Sequence, residues 1–149
     1  MRTELNDGMK AAMKSGDKRR LSTLRLINAA IKDRDITARG EGREWVSDEE
    51  ILQILTKMIK QREESARIYE EQSRLDLAES EREEMAVIKD YLPEQLDEDE
   101  VRAACAKAVS DVNGSSLRDM GKCMNELKTR YPGRIDIGKA SGVVKEMLG

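Results

Sequence analysis

The chain has 149 residues, of which 38% are charged, 38% apolar and 3% aromatic, with no phenylalanine and no histidine; that allows one domain or two small ones with a lean core, and favours helices with wide solvated faces over a sheet. Without histidine the commonest general base, the Ser-His and Cys-His nucleophile systems and the usual zinc ligand sets are gone, so no catalytic constellation, metal site or cofactor is expected. No apolar run reaches the roughly 20 residues of a membrane helix, residues 1–16 lack the apolar core of a secretory signal, and Cys105 and Cys123 stand outside any disulfide framework, which predicts a reduced, cytoplasmic protein with no membrane partner.

In chain order, Leu5, Met9, Ala12 and Met13 recur at helical spacing over residues 3–14, and Ser15-Gly16 ends the run. Asp17 can cap a second helix over residues 18–35, in which Leu21, Leu24, Ile27, Asn28 and Ile31 form one buried stripe. Residues 37–44 contain two glycines, four charges and no periodicity, which predicts an exposed loop. Trp45 and the tyrosines read as core or loop anchors. Ser47 and Glu50 have capping-box spacing and open a long helix to residue 71, with Ile51, Ile54, Leu55, Met58, Ile59, Arg62, Ala66 and Tyr69 on its inner face. A helix of that length needs a partner; residues from about 74 or 75 to 91, with Ala78, Met85, Ile88 and Leu92, supply it, and the two are expected to form an antiparallel hairpin. Pro93 has no backbone N–H and disfavours a helical Leu92. A domain boundary is expected there, between residues 1–93 and 94–149.

Beyond it the pattern predicts three short helices. Asp97 and Glu100 can cap the first, marked by Val101, Ala104, Cys105, Ala108 and Val112 and ended by Asn113-Gly114. Ser116 can cap the second, with Leu117, Met120, Met124, Leu127 and Tyr131 apolar and Pro132-Gly133 as its stop. Asp136 can cap the third, with Ile137, Ala140, Val144, Met147 and Leu148 as its buried set. Cys105 lies on an apolar stripe and reads as inert core. The expected fold class is all-α: an N-terminal helical domain with a long helical hairpin, plus a small C-terminal three-helix bundle.

Charge divides the chain. Residues 73–100 carry three Lys/Arg against eleven Asp/Glu, whereas residues 101–149 carry nine against five. The overall charge of −3 argues against a general nucleic-acid coat, and DNA is not expected as a partner, but a local basic face can still meet phosphates. Lys14, Lys18, Arg19, Arg20 and Arg25 read as a solvated helix face. In the tail, Arg118, Lys122 and Asn125 share a helical face, while Arg130, Arg134 and Lys139 surround the Pro132-Gly133 turn; phosphate contact and solvated surface both fit them. Gly121, Gly133 and Gly138 permit close approach of a backbone, to another helix or to a ligand. Glu63, Glu64, Glu83 and Glu84 read as solvated helix faces rather than as an acid/base pair.

Five stretches, Arg20 to Ile31 (Arg-Leu-Ser-Thr-Leu-Arg-Leu-Ile-Asn-Ala-Ala-Ile), Lys60 to Ser65 (Lys-Gln-Arg-Glu-Glu-Ser), Asp76-Leu77-Ala78, Tyr91 to Leu96 (Tyr-Leu-Pro-Glu-Gln-Leu) and Asp119-Met120-Gly121-Lys122, resemble in that order the successive motifs of the GatB/YqeY family. The resemblance covers nearly the whole chain and is to the free-standing, bacterial YqeY-like members. The larger relatives are B subunits of the tRNA-dependent amidotransferases, in which similar helical and tail domains follow a catalytic body and the tail is implicated in binding the tRNA elbow. What the resemblance implies here is an all-α, two-domain fold and a tRNA-facing surface, carried by Gly121, Lys122 and Met124 and by Gly133, Lys139 and Val144. It does not imply amidotransferase chemistry, because the body that binds ATP, metal and the aminoacyl end has no counterpart in these residues. Three readings follow: a non-catalytic tRNA-binding or tRNA-associated module, an accessory factor in glutamine-dependent amide transfer, and a helical module that binds a translation-related protein.

Overall fold

Helix starts in this chain are fixed by side chains that accept the first orphaned backbone N–H groups. In the computed structural model, which describes residues 1–149, Asp17 accepts from Arg20, Ser47 from Glu50, Asp97 from Glu100, and Asp136 from Gly138 and Lys139. The pairs Ser47/Glu50 and Asp97/Glu100 are complete capping boxes. The protein is all-helical: α1 Arg2–Ser15, α2 Lys18–Gly40, α3 Asp48–Glu71, α4 Leu75–Lys89, α5 Glu98–Asp111, a single 3-10 turn at Leu117–Asp119, α6 Met120–Arg130 and α7 Ile137–Leu148. None of these helices is long and apolar enough to cross a membrane. The chain divides into two compact units, Met1–Leu92 and Pro93–Gly149.

In the N-terminal unit Leu24, Ile27 and Ile31 of α2 are buried with Ile51, Leu55 and Met58 of α3 and Met85 and Ile88 of α4, whereas Leu21 and Asn28, expected in the same stripe, are only half-buried. Helices α3 and α4 pack along each other, and the polar member of α3's inner face is neutralised there: Arg62 Nε donates to Glu84 Oε2 at 2.9 Å. Helix α1 lies on α2 through Leu5 and Ala12, whereas Met13 is 61% exposed and contributes nothing to that stripe. Gly8 permits the approach of Tyr91, because a Cβ there would collide with the tyrosine hydroxyl.

The second helix continues through residues expected to form a loop. Two things extend it past Asp35. Ala38 is buried in the core, and Asp35, also buried, accepts two hydrogen bonds from Arg2, at 2.9 and 2.7 Å, and one from the backbone N–H of Val46 at 2.9 Å. The stop is Gly42, in the left-handed region at φ 85°. The Arg43 N–H then bonds Ala38 O at 2.9 Å and the Gly42 N–H bonds Arg39 O at 3.1 Å, which is the Schellman ending that glycine favours. Trp45 is likewise no core residue. Val46 takes the inward position at 3% exposure, and Trp45 beside it is 58% exposed.

The C-terminal unit has its own core of Val101, Ala104, Cys105 and Ala108 from α5, Cys123 and Leu127 from α6, Ile135, and Ala140, Val144 and Leu148 from α7. Asn113 takes the left-handed C-terminal position of α5 at φ 56°, leaving Gly114 to admit close contact: a Cβ there would sit 3.0–3.4 Å from Leu148, Val109 and Cys123. The second tail helix opens with the 3-10 turn, where Asp119 accepts from the backbone N–H groups of Ser115 and Ser116 at 2.9 and 3.3 Å. That tighter turn rotates Leu117 outward to 52% exposure, so Leu117 is not part of the buried stripe; Met147, 40% exposed, is not part of it either. Both cysteines are free and fully buried, and burial raises the pKa of each thiol.

Candidate nucleic-acid interface

A phosphate-binding surface needs cations whose charge is not already spent within the protein. Two cations of α2 are engaged by acids in α4 or just past it: Arg19 pairs with Glu83 at 2.6 Å and Arg20 with Asp90 at 2.8 Å, and Arg20 also lies over the Tyr91 ring at 5.8 Å. Part of the charge contrast along the sequence is therefore internal neutralisation within the N-terminal unit.

The tail residues separate into two groups. Arg130 is held by Asp111 at 2.8 Å and by Glu126 at 3.0 Å. Arg134 donates from Nε to Glu94 O at 2.9 Å and stands 6.0 Å from the Tyr131 ring centroid. Its backbone carbonyl accepts from the Leu96 N–H at 2.8 Å, and Gln95 bonds the carbonyls of Pro93 and Gly133. These contacts tie residues 93–96 to the turn, where Gly133 sits at φ 72°. Arg130 is thus neutralised within the tail and Gly133 serves the turn, while Arg134 is steadied through Nε and makes no ion pair.

The other group makes no ion pair. Arg118, Lys122, Asn125 and Lys139 are all exposed, and no ion pair engages Arg118, Lys122 or Lys139. Arg118 lies in the 3-10 turn, Lys122 four residues on and Asn125 three further along α6, so they occupy one strip of surface. Lys122 is close enough to Asp119 to help hold that carboxyl below its usual pKa, although the backbone N–H groups of Ser115 and Ser116 contribute more. Gly121 is exposed on α6, and a Cβ there would meet nothing within 4 Å, so no helix packing requires it; Gly138 is exposed in the first turn of α7, beside Lys139. Lys128 borders the same strip, exposed and without an ion pair. Sequence reasoning missed it, although its position three residues after Asn125 is the signal that finds it.

Nowhere do three or more His, Cys, Asp or Glu side chains group so as to hold a metal ion. Glu83 and Glu84 are engaged by Arg19 and Arg62.

The chain is 35% identical over 100 residues to a protein of the yeast Clavispora lusitaniae (strain ATCC 42720) named "Altered inheritance of mitochondria protein 41, mitochondrial". The match covers 65% of this chain and 56% of that protein, so the chain spans about half the length of the relative. A family described as "Yqey-like protein" matches residues 2–148, across both units, and the chain belongs to that family.

Proposed function

We propose that the chain is a non-catalytic, tRNA-associated module whose C-terminal unit meets the phosphate backbone of folded tRNA. The observation that carries the reading is the strip on α6: Arg118, Lys122 and Asn125 are exposed, neither cation is in an ion pair, and Gly121 beside them leaves room for a close backbone. Lys139 and Lys128 add charge on the same unit. Cations of this kind position folded RNA by charge and shape, and the scarcity of aromatic side chains in the tail argues against base-by-base readout there. The resemblance to the tail of the amidotransferase B subunit points the same way. In this reading the protein works where tRNA is aminoacylated: the cytoplasm of a bacterium, or the mitochondrion that the yeast relative's name indicates for that protein.

The test is charge reversal within the unit. Arg118→Glu and Lys122→Glu are expected to weaken tRNA binding by about tenfold each at low salt, with unchanged melting. Arg130→Ala is expected to lower the melting temperature and leave binding by the folded protein unchanged. Equal binding by Lys122→Glu and the parent would contradict the assignment, and recovery of a translation protein in place of tRNA would favour the interaction-module reading.

A further inference from the structure

The N-terminal unit contains a cavity of about 490 Å³ between α1, α2 and the segment leading into α3, within the roughly 300–1,000 Å³ usual for small-ligand sites. Beside the apolar Leu5, Ile31 and Ile36, its lining offers three kinds of chemistry, aromatic, charged and amide. Trp45, the chain's single tryptophan, offers an indole that is 58% exposed and fills no core. Lys32 and Arg39 line the same cavity, exposed and without ion pairs; Arg39 is steadied through Nε, which donates to Glu44 O at 3.3 Å, and its terminal nitrogens are unused. The one carboxylate of the lining, Asp35, is neutralised by Arg2, so the cavity presents net positive charge. Finally, the side-chain amides of Asn6 and Asn28 face it without any hydrogen bond inside the protein.

A free inorganic anion would leave the indole unused, and an apolar ligand would leave two cations and two amides unpaired, which is costly for groups withdrawn from water. A planar heterocycle carrying a phosphate uses all three: the ring stacks on the indole, its edge meets the amides, and the phosphate meets Lys32 and Arg39. We propose that this cavity binds a nucleotide unit, base and phosphate together, supplied either as a free nucleoside monophosphate or within a single RNA strand. The proposal stands apart from the tail reading, since no residue of α6 or α7 contributes to the lining.

Trp45 is its own reporter, because no other tryptophan contributes to the emission. The full chain is titrated with AMP, GMP, CMP and UMP, the four nucleosides, inorganic phosphate and a short single-stranded oligoribonucleotide. The expected result is saturable quenching by a monophosphate or the oligonucleotide, at least about tenfold weaker with the matching nucleoside or phosphate alone. The ratio of oligonucleotide to mononucleotide affinity tells which source the site uses. Lys32→Ala and Arg39→Ala should each weaken the quenching several-fold with unchanged melting, while Lys122→Glu leaves it unchanged. Trp45→Ala, followed by calorimetry, should abolish binding. Quenching by no nucleotide or oligonucleotide, equal affinity for nucleoside and nucleotide, or insensitivity to Lys32→Ala/Arg39→Ala would overturn the proposal, as would tighter binding of an acidic aromatic peptide than of any nucleotide.

Discussion

Arg2 and Asp35, 33 residues apart in sequence, form a two-pronged ion pair at 2.9 and 2.7 Å. The same carboxylate receives the Val46 N–H, so one buried group fastens the start of α1, the last turns of α2 and the approach to α3. The Arg2 hydrogen bond is the main reason the Asp35 pKa falls from 3.8 to about 2.

A depressed carboxylate pKa contributes stability that is fully present above the ordinary value and is lost as pH falls through the folded one, here between about 4 and 2. Because the Arg2 side chain is 37% exposed, solvent screening reduces the contribution to about 1–2 kcal/mol. Asp35→Asn should therefore be less stable than the parent at pH 7, with the gap narrowing steadily as pH drops from 4 to 2. Urea midpoints across that range measure it; a gap independent of pH would assign the loss to packing instead.

Gly8→Ala would push a methyl group into the Tyr91 hydroxyl. A cost of about 1–3 kcal/mol is expected from the overpacking, and Tyr91→Phe, which removes the offending oxygen, should recover part of it. A double-mutant cycle by chemical denaturation checks the coupling; strictly additive costs would mean that the two residues do not meet.

Ser73 ends α3 in the left-handed conformation at φ 59°, with Arg74 N–H bonded to Tyr69 O at 2.7 Å. Glycine occupies that conformation without the steric cost that a Cβ imposes, so Ser73→Gly should stabilise the N-terminal unit by about 0.5–1 kcal/mol despite removing a side chain. A lower melting temperature for the variant would contradict this.

These positions also mark what could be read without coordinates. The helices announced by Ser47/Glu50, Asp97/Glu100 and Asp136 were legible because capping is local chemistry, and the stripe Leu24, Ile27, Ile31 because its spacing is that of a helix. The continuation of α2 to Gly40 was not, since it depends on Arg2 and Val46, which lie far from Asp35 along the chain. The tail cations divide for the same reason: nothing local distinguishes Arg130, paired with Asp111 nineteen positions away, from Lys122, which has no such partner. Trp45 could be recognised as unusual, but only the fold directs Val46 inward and leaves the indole on a cavity.

Gly121 offers a way to separate stability from recognition. Alanine there meets no neighbour within 4 Å and should stabilise α6 by about 0.5–1 kcal/mol through helix propensity. If an RNA backbone passes close to this point, the same variant binds tRNA several-fold more weakly while melting higher. A variant that is more stable and binds equally well would remove Gly121 from the interface.

The most direct measurement is binding of the full chain to folded tRNA by fluorescence anisotropy across a salt series, with double-stranded DNA as competitor. Contact through Arg118, Lys122, Lys128 and Lys139 predicts binding that persists near physiological salt, prefers tRNA, and falls with a log–log slope of about −3, reduced by about one in Lys122→Glu. Binding that vanishes near physiological salt, is matched by DNA, or keeps its slope in Lys122→Glu would contradict a tRNA-facing tail.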